Sequence, residues 1–143
     1  MNSSESAIRQ LVARFDDAVN RRDAEEFSSL WATDGVWEIG EPRPLRVEGA
    51  STIIETWKMM LSGTQWLFRG SFEGVLKVDG DRAAGRWPCV EQGVFADGAS
   101  YDNRAYYDDE YVFVDGEWKF LSRRYVYLWI SDGVLSGEAQ QPI

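Results

Sequence analysis

Asp79-Gly80, Asp97-Gly98 and Asp115-Gly116 divide the second half of the chain into long stretches, and this punctuation constrains the fold more than anything else in the sequence. An Asp-Gly pair supplies the left-handed backbone that a tight hairpin turn requires. Between the turns, residues 82–95, 101–114 and 117–130 read as strands. A shorter strand precedes them, in which Phe72, Leu76 and Val78 alternate with polar residues. Strands this long are more than twice the usual length of about 5–6 residues. Long strands twist and curl, and a curled sheet has a concave face. Pro88 cannot donate to a ladder, so it marks a bulge or an edge within 82–95.

The first half carries a different period. Ile8, Leu11, Val12, Phe15, Ala18 and Val19 follow the spacing of an amphipathic helix over residues 6–20. Asp23 then caps a short second helix, with Glu26 completing a capping box and Phe27, Leu30 and Trp31 as its apolar face. Asp34-Gly35 leads into a strand from Val36 to Ile39, and Glu41-Pro42-Arg43-Pro44 is a loop. A third helix starts at Ser51 or Thr52, carries Ile53, Ile54, Trp57 and Leu61, and ends at Ser62-Gly63. Three helices followed by a meander of long strands make an α+β domain. The helices cover part of the concave face, and the remainder is a pocket. Residues 1–130 form this domain, and 131–143 are a loose tail.

Composition narrows the chemistry. The chain has no histidine and one cysteine, Cys89, which excludes Ser-His-Asp and Cys-His nucleophile systems and the usual zinc sites. Asp108-Asp109-Glu110 alternates between two faces of a strand and does not form a metal cluster. No cofactor is expected. A net charge of −9 argues against nucleic-acid and membrane-surface partners. No apolar leader follows the polar segment Met1 to Ser6, and the single cysteine suits a reducing compartment, so a cytoplasmic location is expected. Seven Trp, six Tyr and seven Phe supply either a large core or the wall of a pocket.

Three stretches in this order carry a family resemblance. The first runs from Phe15 to Trp37 and includes Asn20-Arg21-Arg22-Asp23 and Trp31-Ala32-Thr33-Asp34-Gly35-Val36-Trp37. The second is Leu76 to Ala83, and the third is Tyr107 to Tyr111 with Asp115 to Phe120 and Arg123. Together they resemble the SnoaL-like and scytalone dehydratase-like branch of the nuclear-transport-factor-2-like superfamily. The resemblance implies a cone in which three N-terminal helices pack on a strongly curved antiparallel sheet enclosing a pocket. It also implies an Asp/His dyad, whose two positions fall here on Asn20 and Arg69. Asn cannot take up a proton as a base and Arg is not one at neutral pH, so the family's elimination mechanism is not expected. The family's arginine on the last strand falls on Arg123. Sheets of this superfamily often pair back to back, which implies a homodimer.

Side chains two apart share a strand face. Arg123, Tyr125, Tyr127 and Trp129 share one, placed inward; Trp87, Cys89 and Glu91 share another. In 101–114, parity leaves open whether the set with Asn103 and Tyr107 or the set with Arg104 and Tyr106 lines the pocket; the former is taken as the candidate. Glu91 is the candidate base, since a neighbouring arginine favours its ionised form. Arg69 and Arg123 are the candidate electrostatic stabilisers of a substrate oxygen. Asn20, Trp37, Trp66, Trp87, Asn103, Tyr107, Tyr125 and Tyr127 are the candidate substrate-binding residues. Trp31, Trp57 and Trp118 are assigned to the core, and Cys89 to a small buried site. The expected function is cofactor-independent proton transfer (isomerisation, cyclisation or elimination) on a hydrophobic, ring-containing small molecule. The alternatives are a non-catalytic binding module and a dimerisation domain.

Overall fold

The structure, a computed structural model, describes residues 3–132 and 135–140. Three helices come first in the order α1 (Ser3–Arg21), α2 (Ala24–Ser29), β1 (Trp31–Ile39), β2 (Leu45–Glu48) and α3 (Ala50–Ser62). Five strands follow: β3 (Thr64–Ser71), β4 (Val75–Asp79), β5 (Arg82–Phe95), β6 (Ser100–Val114) and β7 (Glu117–Ser131). The seven strands form one sheet of order β2-β1-β7-β6-β5-β3, and β4 also pairs with β5. No helix among the described residues is long and apolar enough to cross a membrane.

The hairpin punctuation holds. Asp115 and Gly116 both have positive φ, 52° and 79°, as a type I′ turn between β6 and β7 demands. Pro88 lies where the edge partner of β5 changes: Ser71 of β3 pairs with Cys89, and Val75 of β4 with Arg86. Its missing N–H therefore interrupts no continuous ladder, and its carbonyl accepts a bond from Phe72 N–H at 2.8 Å.

Several expectations need correction. β1 begins at Trp31, so Trp31 belongs to a strand and not to α2, although it is core at 4% exposure. β2 and β3 were not anticipated as strands, and Phe72 lies beyond the end of β3. The sheet is mixed, because β1 runs parallel to β7 while the other pairings are antiparallel. Asp23 caps α2 by accepting the Glu26 N–H at 3.0 Å, but the Glu26 carboxylate bonds Arg14 at 2.6 Å instead of closing a capping box. In β7, Leu128 is an extra residue between the pairs Arg104–Trp129 and Ala105–Tyr127. That bulge turns Trp129 out to solvent at 66% exposure.

The apolar faces of the helices meet the concave side of the sheet. All six apolar positions read on α1 are buried, and Phe27 of α2 stacks on Trp57 of α3 at 4.1 Å with the planes 2° apart. Burying side chains of this size contributes about 1.5–3 kcal/mol each. Arg22 donates from Nη2 to the carbonyls of Leu61 and Thr64, at 2.6 and 3.0 Å, tying the end of α1 to the α3–β3 junction. α1 and α3 are thereby held at the entrance of β3, the strand that carries Arg69.

Candidate functional site

Arg69, Glu91 and Asn103 form a row across three strands. Arg69 of β3 is the register partner of Glu91 in β5, which is the register partner of Asn103 in β6. Partners on one face have their Cβ atoms about 4.5–5.5 Å apart, so the row is a continuous polar stripe on the concave face. It opens into a cavity of about 470 Å³. The remaining wall is largely aromatic and aliphatic: Phe15 and Val19 from α1, Trp37 and Ile39 from β1, Trp57 and Leu61 from α3, Phe95 from β5, and Tyr101, Tyr107, Tyr125 and Tyr127 from β6 and β7. Arg43, exposed in the β1–β2 loop, also borders it.

Arg69 is 1% exposed and bonds two carboxylates from different elements. Its Nη1 donates to Asp16 of α1, and its Nε donates to Glu91 Oε1 at 3.2 Å. Burial opposes the charge, yet Asp16, first among the surrounding groups, holds the Arg69 pKa well above the usual arginine value. The other oxygen of Glu91 accepts from the Tyr101 hydroxyl at 2.9 Å. Burial, reinforced by the charge of Glu91, pushes the Tyr101 hydroxyl far up, so it keeps its proton as a donor. Tyr101 reaches Glu91 across Gly93, its register partner. A Cβ at position 93 would lie 2.4 Å from the Tyr101 ring, so only glycine leaves room for this crossing.

Asn20 has a different task from the one expected. Its Nδ2 donates to the Arg69 carbonyl and its Oδ1 accepts from the Arg69 N–H, both at 2.8 Å. β3 ends the strand order, and this amide completes the backbone pairing on its open edge. An aspartate could accept but not donate there. Asn20 therefore positions Arg69 from behind and does not line the main cavity.

Arg123 is the second correction. It is 0% exposed and does not line the cavity. Its Nε and Nη2 grip Asp109 at 2.8 and 3.0 Å, and Tyr111 donates to the same carboxylate at 2.6 Å. Burial works against the Arg123 charge, but Asp109 holds its pKa above the ordinary value. Burial also pushes the Asp109 carboxyl up, while Arg123 pulls it back. The guanidinium carbon lies 3.8 Å from the Tyr107 ring centroid and 4.4 Å from that of Phe15. Both rings line the cavity, and Arg123 packs behind them.

Of the remaining candidates, Trp37, Asn103, Tyr107, Tyr125 and Tyr127 line the cavity with Arg69 and Glu91. Trp37 Nε1 donates to the Tyr107 hydroxyl at 3.1 Å, which fixes that edge of the wall. Trp87 and Trp66 do not line it. Trp87 is buried beside the Arg123 network, its Nε1 donating to the Tyr111 hydroxyl at 2.6 Å. Trp66 borders a separate outer groove with Asn20 and Gln65; it is three residues from Arg69 in unbroken register, so alternation turns it to the opposite face. Trp57, assigned to the core, is buried and also lines the cavity. Cys89 is 2% exposed, and burial raises its thiol pKa, as suits an inert side chain. Sequence reasoning missed Asp16 and Tyr101. Asp16 stands one helical turn before Asn20, and Tyr101 stands opposite a glycine across the Asp97-Gly98 hairpin; both signals are present in the sequence.

Comparison with known proteins is consistent with this architecture. A family described as SnoaL-like domain matches residues 2–124. No curated protein matches the chain by sequence. Among solved structures, a hexachlorocyclohexane dehydrochlorinase, LinA type 2, superposes with a TM-score of 0.83 at 22% identity, covering 98% of this chain and 94% of that one. A candidate scytalone dehydratase from Novosphingobium aromaticivorans gives 0.80 at 18% identity, covering 98% and 93%. The LinA type 3 dehydrochlorinase from Novosphingobium barchaimii gives 0.82 at 20%, covering 99% and 96%. At these identities the likeness is one of fold.

Proposed function

The chain belongs to the SnoaL-like domain family, and on that premise we propose that it is a cofactor-independent enzyme that transfers a proton on a hydrophobic, ring-containing small molecule, as an isomerase, cyclase or lyase does. The observation that carries this reading is Glu91: a carboxylate on the wall of an aromatic cavity, oriented through one oxygen by Arg69 and through the other by Tyr101. A base needs such fixed geometry, and a largely apolar cavity wall strengthens its interaction with substrate charge. Arg69 polarises the substrate oxygen toward which electrons move. Trp37, Tyr107, Tyr125 and Tyr127 hold the ring. Arg123 is assigned to the scaffold.

The test starts with native mass spectrometry of the purified protein and chemical identification of any released compound. With that compound or a close analogue as substrate, Glu91→Gln should lower turnover by about 10²–10⁴-fold, the usual worth of a positioned base. Unchanged turnover in Glu91→Gln would remove Glu91 from the mechanism.

A second reading has its own support. Both carboxylates near the cavity are already engaged by Arg69, and the position matched to the family's aspartate holds Asn20 bonded to backbone. A module that binds a ring compound without altering it would carry these features, and recovery of the bound compound chemically unchanged after prolonged incubation would favour it. We further infer a domain over residues 1–130, a cytoplasmic location suited to the single buried thiol of Cys89, and a homodimer. Leu128 and Trp129, exposed on the outer sheet face, are the inferred contacts. Light scattering on Trp129→Glu should then report a monomer.

A further inference from the structure

β3 ends the strand order of the sheet, and its outer edge is only partly closed. At Arg69 the N–H and C=O on that edge are taken by the Asn20 amide. In an antiparallel ladder the groups turned away from the partner strand recur at every second residue. Trp66 to Ser71 stay in unbroken register with β5, so the N–H and C=O of Leu67 also point away from β5. Among the described residues they meet no backbone partner. An open N–H and C=O on a strand edge are a template for one more strand.

The chain's own C-terminal segment lies beside this edge. Trp66, Leu67 and Phe68 of β3 line a groove of about 410 Å³ together with Arg22, Glu138 and Gln140. Glu138 and Gln140 are two apart, the spacing of side chains on one face of an extended segment. Ala139 then faces the other way, and its small side chain suits the side on which Asn20 crosses the edge. Charge agrees with this seating. Arg22 and Glu138 are the charged residues among the described lining, and they have opposite signs. The Arg22 guanidinium meets the carbonyls of Leu61 and Thr64 and no carboxylate among the described residues.

The segment also touches the rim of the cavity before it reaches the groove. Asp132 is 3.9 Å from Arg43, and Leu135 borders a hollow with Phe95 and Tyr101. Arg43, Phe95, Tyr101 and Leu67 all line the main cavity.

We propose that residues 137–140 dock on the open edge of β3 as a short additional strand, with Ala139 opposite Leu67, and so strap the rim of the cavity. The Ala139 N–H donates to the Leu67 carbonyl, and the Leu67 N–H donates to the Ala139 carbonyl. Glu138 and Gln140 then lie on the outer face beside Trp66 and Phe68. The strap holds β3 at Leu67 as Asn20 holds it at Arg69, so the strand that carries Arg69 is fixed at two successive points of its edge.

The experiment is native-state amide hydrogen exchange, resolved by residue, on the full chain and on a chain stopped after Ser136. Removing the segment should speed exchange of the Leu67 amide by about fivefold, the worth of one backbone hydrogen bond. The Arg69 amide, held by Asn20, should keep its rate. Should the shortened chain fail to fold, Ala139→Pro in the full chain removes the donor to the Leu67 carbonyl and should speed the Leu67 amide likewise. A Leu67 amide that exchanges equally fast with and without the segment overturns the proposal. Protection that grows with protein concentration also overturns it, because the groove would then belong to the segment of a second copy. Neither result depends on a ligand, so the small-molecule reading stands or falls separately.

Discussion

The molecule holds two buried arginines, Arg69 and Arg123, and their carboxylate pairing separates a site from a brace. Arg123 spends two of its nitrogens on one carboxylate, Asp109, and both partners are fully buried, at 0% side-chain exposure. Tyr111 donates to Asp109 and Trp87 donates to Tyr111, so the network closes on itself. Arg69 divides its nitrogens between carboxylates from a helix and a strand, which are 14% and 22% exposed. It borders the cavity, which Arg123 does not. Each arginine keeps one nitrogen unpaired, Arg69 Nη2 and Arg123 Nη1, so neither burial nor an open valence separates them; the shared, partly exposed carboxylates and the cavity do.

The sharpest way to break the comparison is to neutralise one carboxylate in each network. Asp109→Asn leaves the Arg123 charge in a fully buried site without compensation, and removing one partner of such a pair costs about 3–5 kcal/mol. Glu91→Gln leaves Asp16 on Arg69 and alters a group that water already reaches, so about 1 kcal/mol is expected. Urea unfolding of the two variants should separate them clearly. Equal losses would mean that the Arg69 network is scaffold too.

Smaller effects probe the supports of Arg69 and Glu91. Gly93→Ala drives a methyl into the Tyr101 ring. Overpacking of this kind costs about 1–3 kcal/mol, and the displaced Tyr101 should release Glu91. A crystal structure of the variant with Tyr101 unmoved would remove its orienting role. Asn20→Asp replaces a donor with a second acceptor opposite the Arg69 carbonyl. The lost bond and the repulsion together should cost about 1–3 kcal/mol in urea unfolding, whereas an unchanged midpoint would show that the edge of β3 does not need the amide.

The contrast between the two arginines was only partly legible in the sequence. The three Asp-Gly hairpins set the registers of β4, β5, β6 and β7, so Asn103, Tyr107 and Asp109 share one face by simple alternation, although alternation alone left open which face turns inward. β3 hid its nature: it has apolar side chains on both faces, Leu67 lining the cavity and Phe68 exposed, and a glycine at position 70. The parallel β1–β7 pairing is a tertiary choice that no local pattern announces. A bulge at Leu128 moved Trp129 away from where parity put it, and no glycine or proline marks the inserted position; Trp66 is three residues from Arg69 in unbroken register, so alternation itself turns it outward. Partner identity was the larger gap. Asp109 was read as one member of an acidic run, although register pairs it with Arg123 across β6 and β7. Asp16 was passed over because helical periodicity reports the buried face and not the flanking position that meets β3.

The last prediction has no effect at neutral pH. Burial raises the pKa of five of the six tyrosines, Tyr101, Tyr107, Tyr111, Tyr125 and Tyr127. A group whose folded pKa lies above its unfolded value favours the fold below the unfolded pKa, near 10 for tyrosine, and that contribution is lost as pH rises. Stability should therefore be flat through neutrality and decline above about pH 10. Absorbance titration should show most tyrosines un-ionised at pH 11 in the native state and ionised in urea. The two networks differ again in what opens them. Tyr127, half-buried at the cavity, should ionise while the fold persists, but Tyr111, locked between Trp87 and Asp109, should ionise only with unfolding. A Tyr111→Phe variant that leaves the native titration unchanged and a Tyr127→Phe variant that removes its earliest step would place the brace and the cavity on opposite sides of the unfolding transition. The reverse pattern would mean that the Arg123 network opens before the cavity does.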